Sequence, residues 1–351
     1  MYNRQRIKAL LTLLGGALFV LLMFGSCEGC DSIQYSPPEQ QDLTGNGPGN
    51  GPGRQQGDKG GIENVGNTCY MNSVLQILAA LYANKVEEAT TTLTDAKAKQ
   101  LAVTCHKVIE GINANKFVGA EDARAFRKAL QEAASILDSG GFYDFTTNRP
   151  GDASEVLQCV FNALKFPQIS RVMVEKHSTN VDEPDKEQDQ GKFATLSLTN
   201  FKEASKPQIN MKALYDITVE VSDRVGREWE LSDGTTEKNV TTKCHYESRG
   251  LDKLHNGVLP IKVARTIHTK LGSEGKKINT KIKDAFTLAI EGKTWHLVGF
   301  VNQSGGVSSG HYVAWVCKGG KWYFTSDSYV REKTEEEAKK AAEDGYLFFY
   351  K

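Results

Sequence analysis

The chain has 351 residues, with 43 basic and 43 acidic side chains and a formal net charge of zero. That length can bury a sizeable core, while the charge balance offers neither a basic excess for nucleic acid nor an acidic solvating tail. Of seven cysteines, Cys27 and Cys30 lie in the N-terminal segment and Cys69, Cys105, Cys159, Cys244 and Cys317 are scattered through the body, with no C-x-x-C pair among those five, which argues against a zinc ribbon and a disulfide framework.

Met1 to Lys8 carries Arg4, Arg6 and Lys8, and Ala9 to Phe24 is apolar apart from Thr12. A basic start, an apolar run of 16 residues and then Gly25-Ser26-Cys27 read as an export signal. Small residues directly before Cys27 resemble a bacterial lipobox, although Phe24 stands where that motif usually has Leu; an uncleaved signal anchor is the alternative. Glu28 to Gly60 is polar and rich in Gly, Pro, Asn and Gln, and reads as a flexible tether. The expected organisation is residues 1–27 as signal, 28–60 as linker and 61–351 as the folded body.

Gly61 to Gln76 opens the body. Tyr70, Val74, Ile77, Leu78 and Leu81 repeat at helical spacing and predict an amphipathic helix that starts at Cys69. Gly66 suits a tight turn ahead of it, and Asn67 or Thr68 can cap it. A sulfur at that helix start meets free N–H groups and the positive end of the dipole, which favours thiolate. Two further helices are expected over Asp95 to Asn113 and Glu121 to Ala134, with no chemistry assigned. Gly151 to Leu164 carries an apolar stripe, with Asp152 and Glu155 three apart in the first turn. Those two acids either complement the dipole or grip a basic extended peptide.

From about Ser170 the pattern turns to strands. Phe193 to Leu198, Tyr215 to Val221, Val263 to Thr269 and Trp295 to Asn302 alternate; His311 to Val316, Lys321 to Phe324 and Tyr346 to Tyr350 are rich in aromatic and β-branched residues. Met173 to Gln190 is charged and reads as a loop insertion. A helical half followed by an antiparallel β half makes an α+β protein. Ser304 to Ser309 is a Gly/Ser-rich loop that leads into His311 at a strand start, and a hairpin partner ending in Ser326-Asp327 brings either side chain alongside that histidine. Cysteine, histidine and an orienting group form the order a thiol nucleophile needs.

Gly61 to Gln76 resembles the cysteine box of ubiquitin-specific proteases, the papain-like deubiquitinases, and Gly310-His311-Tyr312 with Trp322 and Asp327 resembles their histidine box. Asp152-Ala153-Ser154-Glu155, Leu259-Pro260, Trp295 to Val301 and the closing Gly345 to Tyr350 follow the same family order. The resemblance implies a helical thumb, an antiparallel β palm and, since only Cys244-His245 stands before Leu259, reduced fingers that lack zinc. It implies Cys69 as nucleophile, His311 as base, Asn64 as oxyanion donor, and Asp152 and Glu155 as partners for the arginines of ubiquitin's tail, with no metal and no cofactor. For the third member the family alignment gives Ser326 and charge favours Asp327; both stay open. The expected substrate is ubiquitin on host proteins, and the expected location is exported, as a bacterial membrane-tethered lipoprotein or a secreted effector. A protease for SUMO or NEDD8, or a weakly active ubiquitin-binding module, are the alternatives.

Overall fold

The computed structural model describes residues 58–137, 144–145, 151–199, 206–267, 275–306 and 309–351. The expected signal, Cys27 and the linker through residue 57 lie outside them, as do residues 268–269 of one predicted strand and 307–308 of the loop before His311. The chain divides into two units: residues 57–266 with 277–351, and residues 1–56 with 267–276. No helix among the described residues is long and apolar enough to cross a membrane.

The larger unit begins with helices α1 (Cys69–Leu81), α2 (Ala83–Thr92), α3 (Ala96–Asn113), α4 (Ala120–Leu137) and α5 (Ala153–Ala163). The Asp95 carboxylate accepts the Ala98 N–H at 2.9 Å and starts α3, whose Leu101, Cys105, Val108, Ile109 and Ile112 are all buried. α1 departs from expectation. It is buried on every side from Cys69 to Ala79, not only along its apolar stripe. Its polar residues are inside because each has a partner: Ser73 donates to the Tyr70 carbonyl at 2.9 Å, and Gln76 donates to the Gly60 carbonyl at 2.8 Å. α1 is thus the central helix, with Ile77 and Leu78 fully enclosed, each worth roughly 2 kcal/mol of apolar burial.

The strands follow as β1 (Ile169–His177), β2 (Lys186–Phe193), β3 (Leu196–Leu198), β4 (Gln208–Asn210), β5 (Ser222–Glu230), β6 (Thr236–Arg249) and β7 (Leu259–Val263). The two-residue strands β8 (Thr266–Ile267) and β9 (Lys276–Lys277) straddle the division between units. After them come β10 (Lys281–Lys283), β11 (Thr287–Ile290), β12 (Lys293–Gly305), β13 (Gly310–Lys318), β14 (Lys321–Ser326), β15 (Tyr329–Lys333) and β16 (Gly345–Tyr350). Helix α6 (Met211–Val219) lies between β4 and β5, and α7 (Glu335–Ala342) between β15 and β16.

The main sheet runs β15-β14-β13-β12-β16-β7-β3, with β11 also on β12. Its pairs are antiparallel except β3 on β7. Alternation sends side chains to opposite faces. Val301, Ala314, Val316, Leu347 and Phe349 join α1 and the other early helices in one core; Phe300, Trp315, Trp322, Phe348 and Tyr350 form a second with α6 and α7. The expected α+β class holds.

Three strand expectations are corrected. Tyr215 to Val221 begins inside α6, because Asn210 caps that helix through the Lys212 N–H at 2.8 Å and Met211, Leu214 and Tyr215 bury one face. Phe193 to Leu198 is not one strand: Phe193 pairs with Ile169 and Leu196 with Ile261, so the chain changes sheets between them. The charged Met173 to Gln190 segment is no loop insertion. It forms most of the hairpin β1–β2 in a second sheet, ordered β2-β1-β6-β5. No residue of β2 is buried, which hides the alternation that marks a strand with one buried face.

Candidate active site

The turn before α1 is built by one side chain. Asn64 Oδ1 accepts the N–H of Gly66 at 3.1 Å, the N–H of Thr68 at 3.2 Å and the Thr68 hydroxyl at 3.3 Å. Gly66 has φ +102°, a conformation glycine adopts without strain. Thr68 occupies the N-cap position but makes no side-chain cap; its Oγ1 accepts from the Val65 N–H at 3.0 Å instead. Thr68, one of the two expected caps, thus closes the turn and does not cap the helix.

Cys69, the first residue of α1, is only 6% exposed. Burial pushes its thiol up, the Tyr312 backbone N–H bonded to the sulfur opposes this, and the negative charge of Asp327 adds to the rise. The expected thiolate preference at the helix start is thus outweighed by desolvation in the resting protein. Tyr312 follows His311 in β13, so its N–H bond to the sulfur brings the strand that carries the histidine onto the nucleophile.

His311 Nε2 and Ser326 Oγ share a hydrogen bond of 2.8 Å. The register explains it. Ala314 pairs with Thr325, and continuing that ladder sets Ser326 opposite Val313, diagonal to His311 on the same face. Asp327 turns the other way with φ +50°. Its Oδ2 accepts from Asn64 Nδ2 and its Oδ1 from Asn72 Nδ2, both at 2.8 Å. The two residues left open by the sequence thus hold different things: Ser326 meets the histidine, and Asp327 ties the turn before Cys69 to α1. Asn72, buried at 3% exposure, went unnoticed in the sequence, although a polar residue one turn past the cysteine among apolar neighbours was its signal.

The acidic pair also separates. Asp152 is the N-cap of α5, where it accepts the Ser154 N–H and hydroxyl at 2.6 Å. The Tyr346 hydroxyl of β16 donates to both its oxygens, at 2.9 and 2.7 Å. Glu155 is exposed by surface area yet crowded by protein on its other sides; desolvation and the charge of Asp152 push its carboxyl up to about 7, against the pull of Lys262. The Lys262 ammonium donates to Ser154 Oγ at 2.7 Å. Tyr312, whose hydroxyl receives the Ala153 N–H, connects this helix start to the strand of His311. Asp152 thus joins the start of α5 to β16, and Glu155 is the more exposed of the two acids.

Lys277 closes the loop ahead of His311. Its ammonium donates to the Gln303 carbonyl at 2.8 Å, to Gln303 Oε1 at 2.5 Å and to the Gly305 carbonyl at 2.7 Å. Gln303 Nε2 in turn donates to the Gly306 carbonyl at 2.9 Å. Lys277→Met leaves these acceptors without their donor. We expect amide exchange across 303–306 to accelerate, and catalytic turnover to fall about tenfold through looser placement of the histidine strand, measured by hydrogen-exchange mass spectrometry and steady-state kinetics.

Among the described residues no three or more His, Cys, Asp or Glu side chains are gathered to hold a metal ion. Cys244 is buried in β6 opposite Glu175 of β1.

The sequence matches the family described as ubiquitin carboxyl-terminal hydrolase over residues 60–165 and 163–350. The chain belongs to that family. Ubiquitin carboxyl-terminal hydrolases of this kind are cysteine-type hydrolases, in keeping with a cysteine at the start of a helix that packs on the strand carrying a histidine. A curated relative, ubiquitin carboxyl-terminal hydrolase 5 of Mus musculus, is 29% identical over 122 residues, which are 30% of this chain and 14% of that protein. The matched stretch thus spans about one seventh of the relative's length. Among solved structures, the SAGA Ubp8/Sgf11/Sus1/Sgf73 DUB module bound to ubiquitin aldehyde aligns with a TM-score of 0.61 at 17% identity, covering 84% of this chain and 70% of that one. A second structure of the module, with a cysteine-to-alanine Ubp8 and bound to monoubiquitin, aligns at 0.62 and 17% identity over 83% and 68%. The ubiquitin carboxyl-terminal hydrolase fold is thereby shared well beyond the reach of sequence identity.

Proposed function

We propose that this ubiquitin carboxyl-terminal hydrolase is a thiol-dependent deubiquitinase that cleaves after the C-terminal glycine of ubiquitin through a Cys69 thioester. The observation that supports the reading is the packing of the helix that begins at Cys69 against β13, the strand that carries His311 with its Nε2 bonded to Ser326. With its Nε2–H donated to Ser326, His311 leaves Nδ1 to take the thiol proton. The sulfur attacks the carbonyl carbon, and the negative oxygen that forms is stabilised by the Cys69 N–H at the helix start and by the Asn64 amide. The imidazolium then protonates the departing lysine amine, and water activated by the same imidazole hydrolyses the thioester. Ser326 orients the ring without contributing charge. Both aligned Ubp8 structures have ubiquitin bound, which supports the choice of substrate.

Glu155 receives the cationic tail of the substrate in this reading, and Asp152 holds the start of the helix that presents it. The N-terminal signal and linker tether the enzyme to a bacterial membrane through lipid on Cys27 and place it to act on host conjugates. Incubating the chain with probes bearing a C-terminal electrophile on ubiquitin, SUMO or NEDD8 tests the reading: a ubiquitin adduct that Cys69→Ala abolishes is expected, and an adduct confined to SUMO or NEDD8 would reassign the substrate. Fractionation of cells for labelled lipoprotein, with and without Cys27→Ser, tests the tether.

The raised carboxyl of Glu155 gives a pH signature. Its folded value, about 7, stands above the ordinary glutamate value of 4.5. The folded state binds that proton more tightly, so the associated stability is full below 4.5 and lost as pH rises through 7. Glu155→Gln is therefore expected to melt higher than the parent at pH 8 and equally at pH 4. The parent's KM should rise as pH falls through about 7 and the tail-binding charge is lost, whereas the variant's KM should be high and flat. Thermal melts and kinetics across pH 5 to 8.5 measure both.

A further inference from the structure

The catalytic turn is held from behind by a segment that precedes the family match, which starts at residue 60. Ser326 and Tyr329 pair across a two-residue connection, Asp327-Ser328, that joins β14 to β15. Asp327 sits there with positive φ, a conformation costly for a residue with a side chain and kept only where the surroundings over-determine it. Both carbonyls of the connection and one N–H of β15 are taken by one strap. The Ile62 N–H donates to the Asp327 carbonyl at 2.9 Å, and the Asp58 N–H donates to the Ser328 carbonyl at 2.8 Å. Asp58 Oδ2 accepts the Val330 N–H at 3.0 Å and the Arg331 guanidinium at 2.6 Å. Asp58 also accepts the Gly61 N–H on its own carbonyl at 2.9 Å, folding the strap against the turn. A Cβ at Gly61 would lie 2.5 Å from the Ser328 carbonyl oxygen, so the strap runs in direct contact with the connection.

We infer that Asp58 is a positioning residue for the reaction: its carboxylate and N–H fix the Asp327-Ser328 connection, and thereby aim Ser326 at His311 and Asp327 at Asn64 and Asn72. It touches no reacting atom. It acts through the turn, and the inference rests on the hydrolase reading above. The strap also marks where the linker ends, since the chain enters the fold by way of the turn that carries two site residues. Of the contacts Asp58 makes, the one to the Val330 N–H matters most, because an exposed ion pair such as that to Arg331 contributes little in water. A hydrogen-bond acceptor is what position 58 requires, and a charge is not.

The test uses the full chain and its Asp58→Ala, Asp58→Asn and Arg331→Met variants, each with a ubiquitin C-terminal fluorophore substrate and the ubiquitin electrophile probe. Asp58→Ala should lower kcat about tenfold or more while KM stays within about twofold, because a misplacement of about 1 Å is enough to cost that much. Asp58→Asn, whose side-chain oxygen still accepts the Val330 N–H, and Arg331→Met should both stay within about threefold of the parent. All variants should titrate fully with the probe, only more slowly for Asp58→Ala. Parent kcat in the Ala variant, equal losses in the Ala and Asn variants, or a loss in Ala that tracks a reduced folded fraction in the probe titration would each overturn the inference. Absence of an adduct in the parent chain would instead sink the deubiquitinase reading.

Discussion

Asp327→Ala is expected to lower kcat/KM about 10³-fold, and Ser326→Ala only about tenfold, although Ser326 is the residue that touches the histidine. The order follows from what each side chain holds. Removing the Asp327 carboxylate leaves Asn72 Nδ2, in a side chain 3% exposed, without its acceptor, a cost of about 1–3 kcal/mol in the folded state. It also releases the Asn64 amide, which shapes the turn before Cys69 and serves as oxyanion donor in the mechanism proposed above; losing one such donor costs about 3 kcal/mol in the transition state. Part of the Asn72 cost appears as a lower melting temperature and the Asn64 cost as lost turnover, where roughly 4 kcal/mol corresponds to three orders of magnitude. Ser326 contributes one neutral hydrogen bond to an imidazole already held by its strand, worth about 1 kcal/mol. Steady-state hydrolysis of a ubiquitin fluorophore conjugate, with melts of each variant, makes the comparison. A larger loss in Ser326→Ala than in Asp327→Ala would reverse the division of labour between the two.

Cys69→Ala carries the largest expected effect, a loss of at least about 10⁵-fold, because it removes the attacking sulfur on which the proposed thioester depends. The protein should remain folded, since the change removes one sulfur from a residue already part of a closely packed helix. The thiol also sets a pH dependence. Burial and the Asp327 charge push the thiol up, so removing its proton costs more than from an exposed cysteine. Deprotonation is the step that higher pH favours, and alkylation of Cys69 by iodoacetamide should therefore accelerate steadily from pH 7 to 9. Asp327→Asn removes a negative charge that raises the thiol, so its alkylation profile should move to lower pH. A profile that is flat above pH 7 in the parent would show a resting thiolate and contradict the dominance of desolvation.

Elements with one strong period were legible before the fold was known. The stripes of α3 and α4, the aromatic and β-branched runs of β12 to β14 and the continuous apolar run of β16 each declare both type and burial. α6 did not, because Tyr215 to Val221 alternates like a strand while the cap that decides the matter, Asn210, lies upstream of the pattern. β2 was hidden by charge: a strand with no buried residue has no apolar rhythm, and only its pairing with β1 defines it. In the site, the succession of Cys69, His311 and the Ser326-Asp327 dipeptide could be read in order along the chain. Which of the last two meets the imidazole could not, because it depends on the backbone turning at Asp327. Asn72, Tyr312, Tyr346 and Lys277 act across separations that local pattern does not register; Asn72 and Asp327 are 255 positions apart. The partner of Asp152 was hidden for a related reason, since Tyr346 comes from the last strand.

The hairpin β14–β15 stands at the end of the main sheet, and β15 has no neighbouring strand on its outer side among the described residues. A sheet margin of this sort is a template on which another chain can add a strand and nucleate aggregates. Here it is guarded. Arg331, Glu332 and Lys333 line it with charge, and Asp58 occupies the Val330 N–H that would otherwise greet an incoming strand. The protein has placed the residue bonded to its site histidine next to an open border of its sheet and has made that border unattractive to copies of itself. Neutralising Arg331, Glu332 and Lys333 would thus trade colloidal stability at a place remote from the nucleophile in sequence yet joined to it by a single turn.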